Sequence, residues 1–243
     1  MLRKDKFELA RRMVVCLMMT LVIGHFLAAG LMEVRANWNS SAFDQRSYLR
    51  LGLRIREREA LTDGNRHPLY PALISLFAER EWAYFTKSKL LSLTIGVMAL
   101  VTVFALSRRL YSDDVALLAT FLLSINQEFI RESSRAICES LFVLLFFASW
   151  YYTVRGFSRW RCWAAAGFCA GLAYLTKGTG QSLPISFVLS AMMIYRTRAL
   201  KERGIIVYLL FYLIAASVLL AYNYKRYGNP FYNYNHNPRP VVR

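Results

Sequence analysis

Acidic residues are scarce in this sequence. Its 243 residues carry 15 Asp and Glu against 31 Lys and Arg, a formal net charge of +16. Such a balance points to phosphate-bearing partners, either nucleic acid or anionic lipid. Cysteine is scarce too. Cys16, Cys138, Cys162 and Cys169 all fall in apolar runs and form no CxxC pair. That argues against a disulfide framework or a thiolate metal centre and leaves four small hydrophobic residues. No internal repeat is evident. Residues 3–12 are basic and 13–32 apolar, but no clean small-x-small cleavage site follows, so this run reads as an uncleaved first transmembrane helix.

What the chain has in quantity is hydrocarbon. Hydrophobic residues make up 56% and aromatics 15%, with a mean hydropathy of +0.29. They come in long blocks rather than amphipathic stripes, which predicts membrane spans, and backbone in lipid must be helical. The expected fold class is therefore all-α, a polytopic membrane helix bundle of about seven spans: 13–32, 84–106, 114–125, 136–154, 162–176, 181–195 and 204–222. Three of these fall short of the ~20 residues that cross a bilayer and need shielding by neighbours. His25 lies mid-span and is expected to face another helix. With a membrane settled on, lipid phosphate replaces nucleic acid as the expected partner of the basic charge.

Lys and Arg near the span ends set orientation. Arg11 and Arg12 abut the first span, and the short turns 107–113, 155–161 and 196–203 are basic. This predicts an integral protein of the inner or plasma membrane with its amino terminus in the cytoplasm. The loop 33–83, the turn 126–133, the Lys177 turn and the tail 223–243 are then extracytoplasmic. Residues 1–222 read as one transmembrane module.

The loop 33–83 holds the densest set of ionisable groups outside hydrocarbon. Residues 44–60 have helical character, with Arg46, Arg50, Arg54 and Arg58 on one face and Tyr48, Leu51 and Ile55 on another. This predicts an interfacial helix with its arginines at phosphate level, or simply a solvated basic face. Asp44 stands where it could cap that helix. Leu61-Thr62-Asp63-Gly64-Asn65 is turn chemistry, and Arg66-His67-Pro68-Leu69-Tyr70-Pro71 forms a stiff corner before a short apolar segment, 69–77. Further on, Arg131, Glu132, Arg135 and Glu139 form a second polar cluster, with Arg135 and Glu139 spaced to pair at i, i+4. Lys177 sits between two short spans, placed either to snorkel or to reach a phosphate.

Asp44 with Tyr48 four residues on, the basic-x-Pro-Leu-Tyr-Pro corner, Arg-Ala-Ile-Cys-Glu-Ser-Leu-Phe at 135–142, Gly-Leu-Ala-Tyr-Leu-Thr-Lys-Gly at 171–178 and Tyr-Gly-Asn-Pro-Phe-Tyr at 227–232 occur in this order. Together they resemble the GT-C membrane glycosyltransferases, among them protein O-mannosyltransferases and the lipid A aminoarabinose transferase. The resemblance implies transfer of a sugar from a polyprenyl-phosphate donor to an extracytoplasmic hydroxyl of a lipid, glycan or protein, with inversion. It places Asp44 at the acceptor as general base and Arg66 on the lipid phosphate. It places the 131–139 cluster, with Arg131, Arg135 and Glu139, around the sugar. Tyr48, His67, Tyr70 and Lys177 complete the expected substrate-binding set, His67 either bonding a phosphate oxygen or capping the turn. Many relatives carry a second acid after the aspartate; here Gln45 follows. No nucleic acid, no metal and no other cofactor is expected, because arginines can neutralise a leaving monophosphate and no DxD-like pair is present. Relatives usually continue with further spans, so the chain reads as an amino-terminal module. Two other classes remain open on the same residues: a transporter or flippase of an anionic lipid or solute, and a silent scaffold.

Overall fold

The computed structural model describes residues 2–157, 159–196 and 202–233, with side chains from Glu8 onward. Among the described residues the chain is all helix and turn, with no strand. The helices are α1 (Leu2–Ala36), α2 (Gln45–Arg56), α3 (Leu69–Ser75), α4 (Trp82–Leu110), α5 (Asp113–Ser124), α6 (Gln127–Ser133), α7 (Glu139–Gly156), α8 (Arg161–Thr176), α9 (Ser182–Tyr195) and α10 (Arg203–Tyr227). A 3-10 turn, Gly178–Gln181, joins α8 to α9.

Each of the seven apolar runs folds as one helix. Three of them, Glu8–Ala36, Trp82–Leu110 and Arg203–Tyr227, are long and apolar enough to cross a membrane. The other four, α5, α7, α8 and α9, are shorter than the ~20 residues a straight crossing needs. Local chemistry explains several ends. Ser112 accepts the Val115 N–H at 3.4 Å to start α5, and Asp113 and Asp114 complement its first turn. Asn126 accepts the Phe129 N–H at 2.8 Å to start α6. Arg108 and Arg109 sit in the last turn of α4, where cations suit the carbonyl end.

Two apolar clusters hold the bundle. One joins α1, α4 and α6 through Phe26, Leu93, Leu100 and Phe129. The other gathers α2, α3, α7, α8, α9 and α10 around Tyr70, Ile74, Leu141, Trp163, Phe187 and Tyr208. His25 does not face a helix: it is exposed on α1, which buries Val22 and Phe26 instead. The expected helix 44–60 ends at Arg56, and Arg58 takes a left-handed φ of 59°.

Lipid tails give no hydrophobic reward for bringing helices together, so close approach depends on small residues. α8 supplies them as Gly167 and Gly171, and it packs on α10 there. A Cβ on Gly167 would run into the backbone of Tyr208. Backbone cannot swing aside, so Gly167→Ala should cost about 1–3 kcal/mol and lower the thermal midpoint in detergent. Gly24→Ala, at a position with nothing within 4 Å, is the control and should leave the midpoint unchanged. Equal midpoints for both variants would remove this account of the α8–α10 contact.

The helix polarities bring the end of α1, the starts of α4 and α7, the end of α8 and the end of α10 together. Lys89 of α4, buried, donates to the carbonyls of Val34 at 2.7 Å and Asn37 at 2.6 Å, closing the open end of α1. The Leu61 N–H donates to Tyr222 Oη of α10 at 3.2 Å. The loop 37–81 is thus tied to the bundle at one end, together with the turn 126–138 and the Lys177 turn.

Candidate active site

The site is built on a buckle in the loop. Asp63 Oδ1 accepts the backbone N–H groups of Asn65, at 3.0 Å, and Arg66, at 2.7 Å. Thr62 Oγ1 donates to the Arg66 carbonyl at 2.5 Å and accepts the Gly64 N–H at 3.0 Å. Asp side chains favour such local turns, and Gly64 supplies the positive φ of 86°. A Cβ there would also meet the Tyr232 ring at 2.8 Å. The backbone of Arg66 is thereby fixed, and its guanidinium is held at both edges. Nη1 donates to Asp63 Oδ2 at 2.9 Å and Nη2 to Asp44 Oδ1 at 2.6 Å.

Asp44 does not cap α2. Its side chain makes no cap bond; its backbone carbonyl takes the N–H groups of Ser47 and Tyr48, and its carboxylate goes to Arg66. The pair is lopsided: the Asp44 side chain is 63% exposed and that of Arg66 only 16%. Burial works against the Arg66 charge, and the two carboxylates more than offset it, so its pKa is raised further.

Gln45, the residue that stands in place of a second acid, is wholly buried. It accepts from Asn37 Nδ2 at 2.8 Å and from the Ala136 N–H at 3.1 Å, and donates to the carbonyls of Asn39 and Ala42 at 3.2 Å. A carboxylate could not donate those last two bonds. Gln45 therefore locks α2 onto the turn 134–138 as an amide.

Beside Asp44 opens a cavity of about 470 Å³, within the usual size of small-molecule sites. Asp44 and Tyr48 line it from the loop, and Arg131, Glu132, Arg135 and Glu139 from the second polar cluster. The expected Arg135–Glu139 pair does not form. Residues 134–138 are turn and bend, not helix, so i, i+4 spacing no longer brings side chains together. Arg135 instead donates to Glu132 at 2.6 Å and lies 3.9 Å over the Phe43 ring. Glu139 pairs with Lys177 at 2.9 Å, and Arg131 with Glu128 at 3.1 Å. Burial raises the Glu132 carboxyl above the ordinary glutamate range, with Arg135 pulling only partly the other way. Burial also opposes the Lys177 charge, but the Glu139 contact prevails and raises it.

The remaining expected site residues lie deeper. Tyr48 is buried, and its Oη is 3.0 Å from Cys138 Sγ; burial pushes its phenol well above the ordinary tyrosine range. Tyr70 is fully enclosed beneath it, edge-on at 5.5 Å, with its Oη 2.8 Å from Ser92 Oγ. It is not among the cavity's lining residues. His67 packs edge-on against Tyr174 at 5.2 Å and against Gly178, so it braces the loop on the Lys177 turn.

Burial lowers the His67 pKa, and the Tyr174 carbonyl raises it by less. Its folded pKa therefore lies below the unfolded value of ~6.5, and the neutral ring is the stable form. The resulting stability is present above about pH 6.5 and is lost as pH falls from there through the lowered folded pKa. The thermal midpoint should drop between pH 7.5 and 5 more in the wild type than in His67→Gln. Parallel pH profiles would exclude His67 as the cause.

Sequence reasoning passed over Asp63, read only as a turn residue, along with Phe43 and Glu128. The i, i+3 spacings Asp63–Arg66 and Glu128–Arg131 were the available signal. Phe43, at a positive φ of 54°, offered none.

The architecture thus sets a carboxylate and a guanidinium at the mouth of an arginine-lined cavity, at one end of a bundle of apolar helices. A family model described as dolichyl-phosphate-mannose-protein mannosyltransferase matches residues 66–222. The match begins at Arg66 and so takes in the corner, the second cluster and Lys177, while Asp44 and α2 lie before it. No curated protein and no solved structure matches the chain. With well over half its length matched, the chain belongs to the dolichyl-phosphate-mannose-protein mannosyltransferase family and is an integral membrane glycosyltransferase of the GT-C type.

Proposed function

We propose that the chain transfers a sugar from a polyprenyl-phosphate donor to an acceptor hydroxyl, with inversion, at the cavity beside Asp44. The observation that carries this reading is the 2.6 Å contact between Asp44 and Arg66 at the cavity mouth. The resting pair occupies both groups. The aspartate side of the pair is largely exposed, and a donor phosphate offers the guanidinium the same charge-assisted bonds, so it can replace Asp44 there. Asp63 keeps hold of the other edge, so the fork stays aimed. Displacement frees the Asp44 carboxylate. It then accepts the acceptor's proton as the hydroxyl oxygen bonds to the anomeric carbon. The bond from that carbon to the phosphate oxygen breaks, and its electron pair leaves with the lipid phosphate, whose charge Arg66 stabilises. Arg131, Arg135 and the Glu139–Lys177 pair line or back the space for the sugar.

The test is sugar transfer in membranes supplied with a radiolabelled polyprenyl-phosphate sugar. Release of polyprenyl phosphate coupled to labelled acceptor is expected. Donor turnover no faster than in membranes without the protein would overturn the reading.

Seven spans and an extracytoplasmic cavity belong to the same proposal. The support is that the loop, the turn 126–138 and the Lys177 turn share one end, while Arg108, Arg109 and Arg155 mark the other. Cysteine placed at exposed Arg58 should be labelled by an impermeant reagent from outside intact cells, and at exposed Tyr111 only after lysis. The reverse pattern would sink the orientation.

A further inference from the structure

At the end of the bundle away from Asp44 lies a second cavity, of about 580 Å³. Ala105, Arg108 and Arg109 of α4 line it, with Tyr151 and Arg155 of α7 and Arg159 just beyond. Among these described residues, four are arginines and none is acidic. Glu139 borders the first cavity and Arg155 the second, and about 24 Å of α7 separates them at ~1.5 Å per residue. That is close to the ~30 Å of a bilayer's hydrocarbon core, so the two cavities open at opposite faces.

Two of the guanidinium groups, those of Arg108 and Arg155, are held by neighbours. Arg155 Nη1 donates to Tyr151 Oη at 3.2 Å, and its guanidinium lies 5.6 Å from that ring. The Arg159 N–H donates to the Arg155 carbonyl at 3.0 Å, so one turn fixes both backbones. Arg108 bonds Asp113 at 2.6 Å, and Arg11 approaches the same carboxylate at 3.5 Å. One acid is thus divided between two cations, and Arg155 and Arg159 meet no carboxylate among the described residues. Exposed Leu110, Tyr111, Phe157 and Trp160 mark the same height, and the guanidinium groups of Arg161 and Arg203 lie about 6 Å from the Trp160 ring. Aromatics among arginines are what the headgroup level of a membrane favours.

We propose that this cavity binds the phosphate headgroup of an anionic phospholipid in the leaflet opposite the Asp44 site. Guanidinium forks match phosphate oxygens bidentately, and the exposed apolar side chains beside the cavity give acyl chains a surface to lie on. A soluble phosphate would use the forks and not that surface. The headgroup would bridge α4 and α7, the helices that carry Lys89 and Glu139 at the other end.

The experiment titrates the purified full chain, in zwitterionic detergent, with dihexanoyl phosphatidylglycerol. Dihexanoyl phosphatidylcholine and inorganic phosphate are the comparison arms. Saturable binding of phosphatidylglycerol is expected, at least tenfold tighter than either comparison. The double variant Arg155→Gln/Arg159→Gln should weaken it tenfold or more, and Arg155→Lys/Arg159→Lys less. No preference over phosphatidylcholine, or unchanged affinity in the glutamine variant, would overturn the proposal and leave the arginines as topology signals only. Inorganic phosphate binding as tightly as the lipid would overturn the lipid assignment. The wild-type comparison needs no variant, so a misfolded double variant does not spare the proposal.

Discussion

Asp44→Asn should abolish most sugar transfer while leaving the protein folded. A general base contributes about 10²–10⁴ in rate, and an amide cannot accept the hydroxyl proton. The structural cost should be small. The Asp44 carboxylate caps nothing, and its ion pair is largely exposed on the aspartate side. For the same reason Asp44→Ala should be no less stable than Asp44→Asn. A helix cap would behave otherwise, with Ala costing about 1 kcal/mol more than Asn. Transfer rate and thermal midpoint measured together on both variants decide the matter. A near wild-type rate in Asp44→Asn ends the base assignment. Attention then moves to Glu132, whose half-buried carboxyl lines the same cavity with a raised affinity for protons.

Arg66→Ala should lose donor affinity rather than fold. The buckle that positions residue 66 uses its backbone N–H and carbonyl, which the substitution keeps. What is lost is the fork between Asp44 and Asp63. Removing one partner of a charge pair in a partly dry site costs on the order of 2–4 kcal/mol, roughly 30- to 1000-fold in affinity. Lysine should restore only part, because a point charge cannot hold a phosphate and Asp63 in parallel. Asp63→Asn provides the contrast. It keeps an oxygen for the two backbone N–H groups but turns an amide NH2 toward Arg66 Nη1, so the fork loses its brace and donor affinity should fall, though less than in Arg66→Ala. The readout is binding of a polyprenyl phosphate to the folded variants in nanodiscs. Unchanged affinity in Arg66→Ala rules out the phosphate role.

The sequence alone determined the class of fold. Helices in lipid answer to composition, because each must satisfy its own backbone and keep an apolar face outward. Runs such as 84–106 and 204–222 therefore read directly as α4 and α10. It also brought into view the loop and cluster that border the candidate cavity, since Asp44, Arg66 and the 131–139 cluster stand out as charge in a hydrocarbon-rich chain. The pairings were beyond it. Whether Arg135 meets Glu139 or Glu132 depends on the helix breaking at Ser134. That break is stabilised from afar, by the Gln45 amide taking the Ala136 N–H. Whether Asp44 caps α2 or meets Arg66 depends on a buckle that delivers a guanidinium from 22 residues away. The same holds at the far end, where two arginines of α4, one of α7 and Arg159 just beyond it converge only because those helices pack side by side. Local sequence sets propensity over a turn or two. Contacts between groups tens of residues apart are set by how the helices pack, and only the tertiary structure decides them.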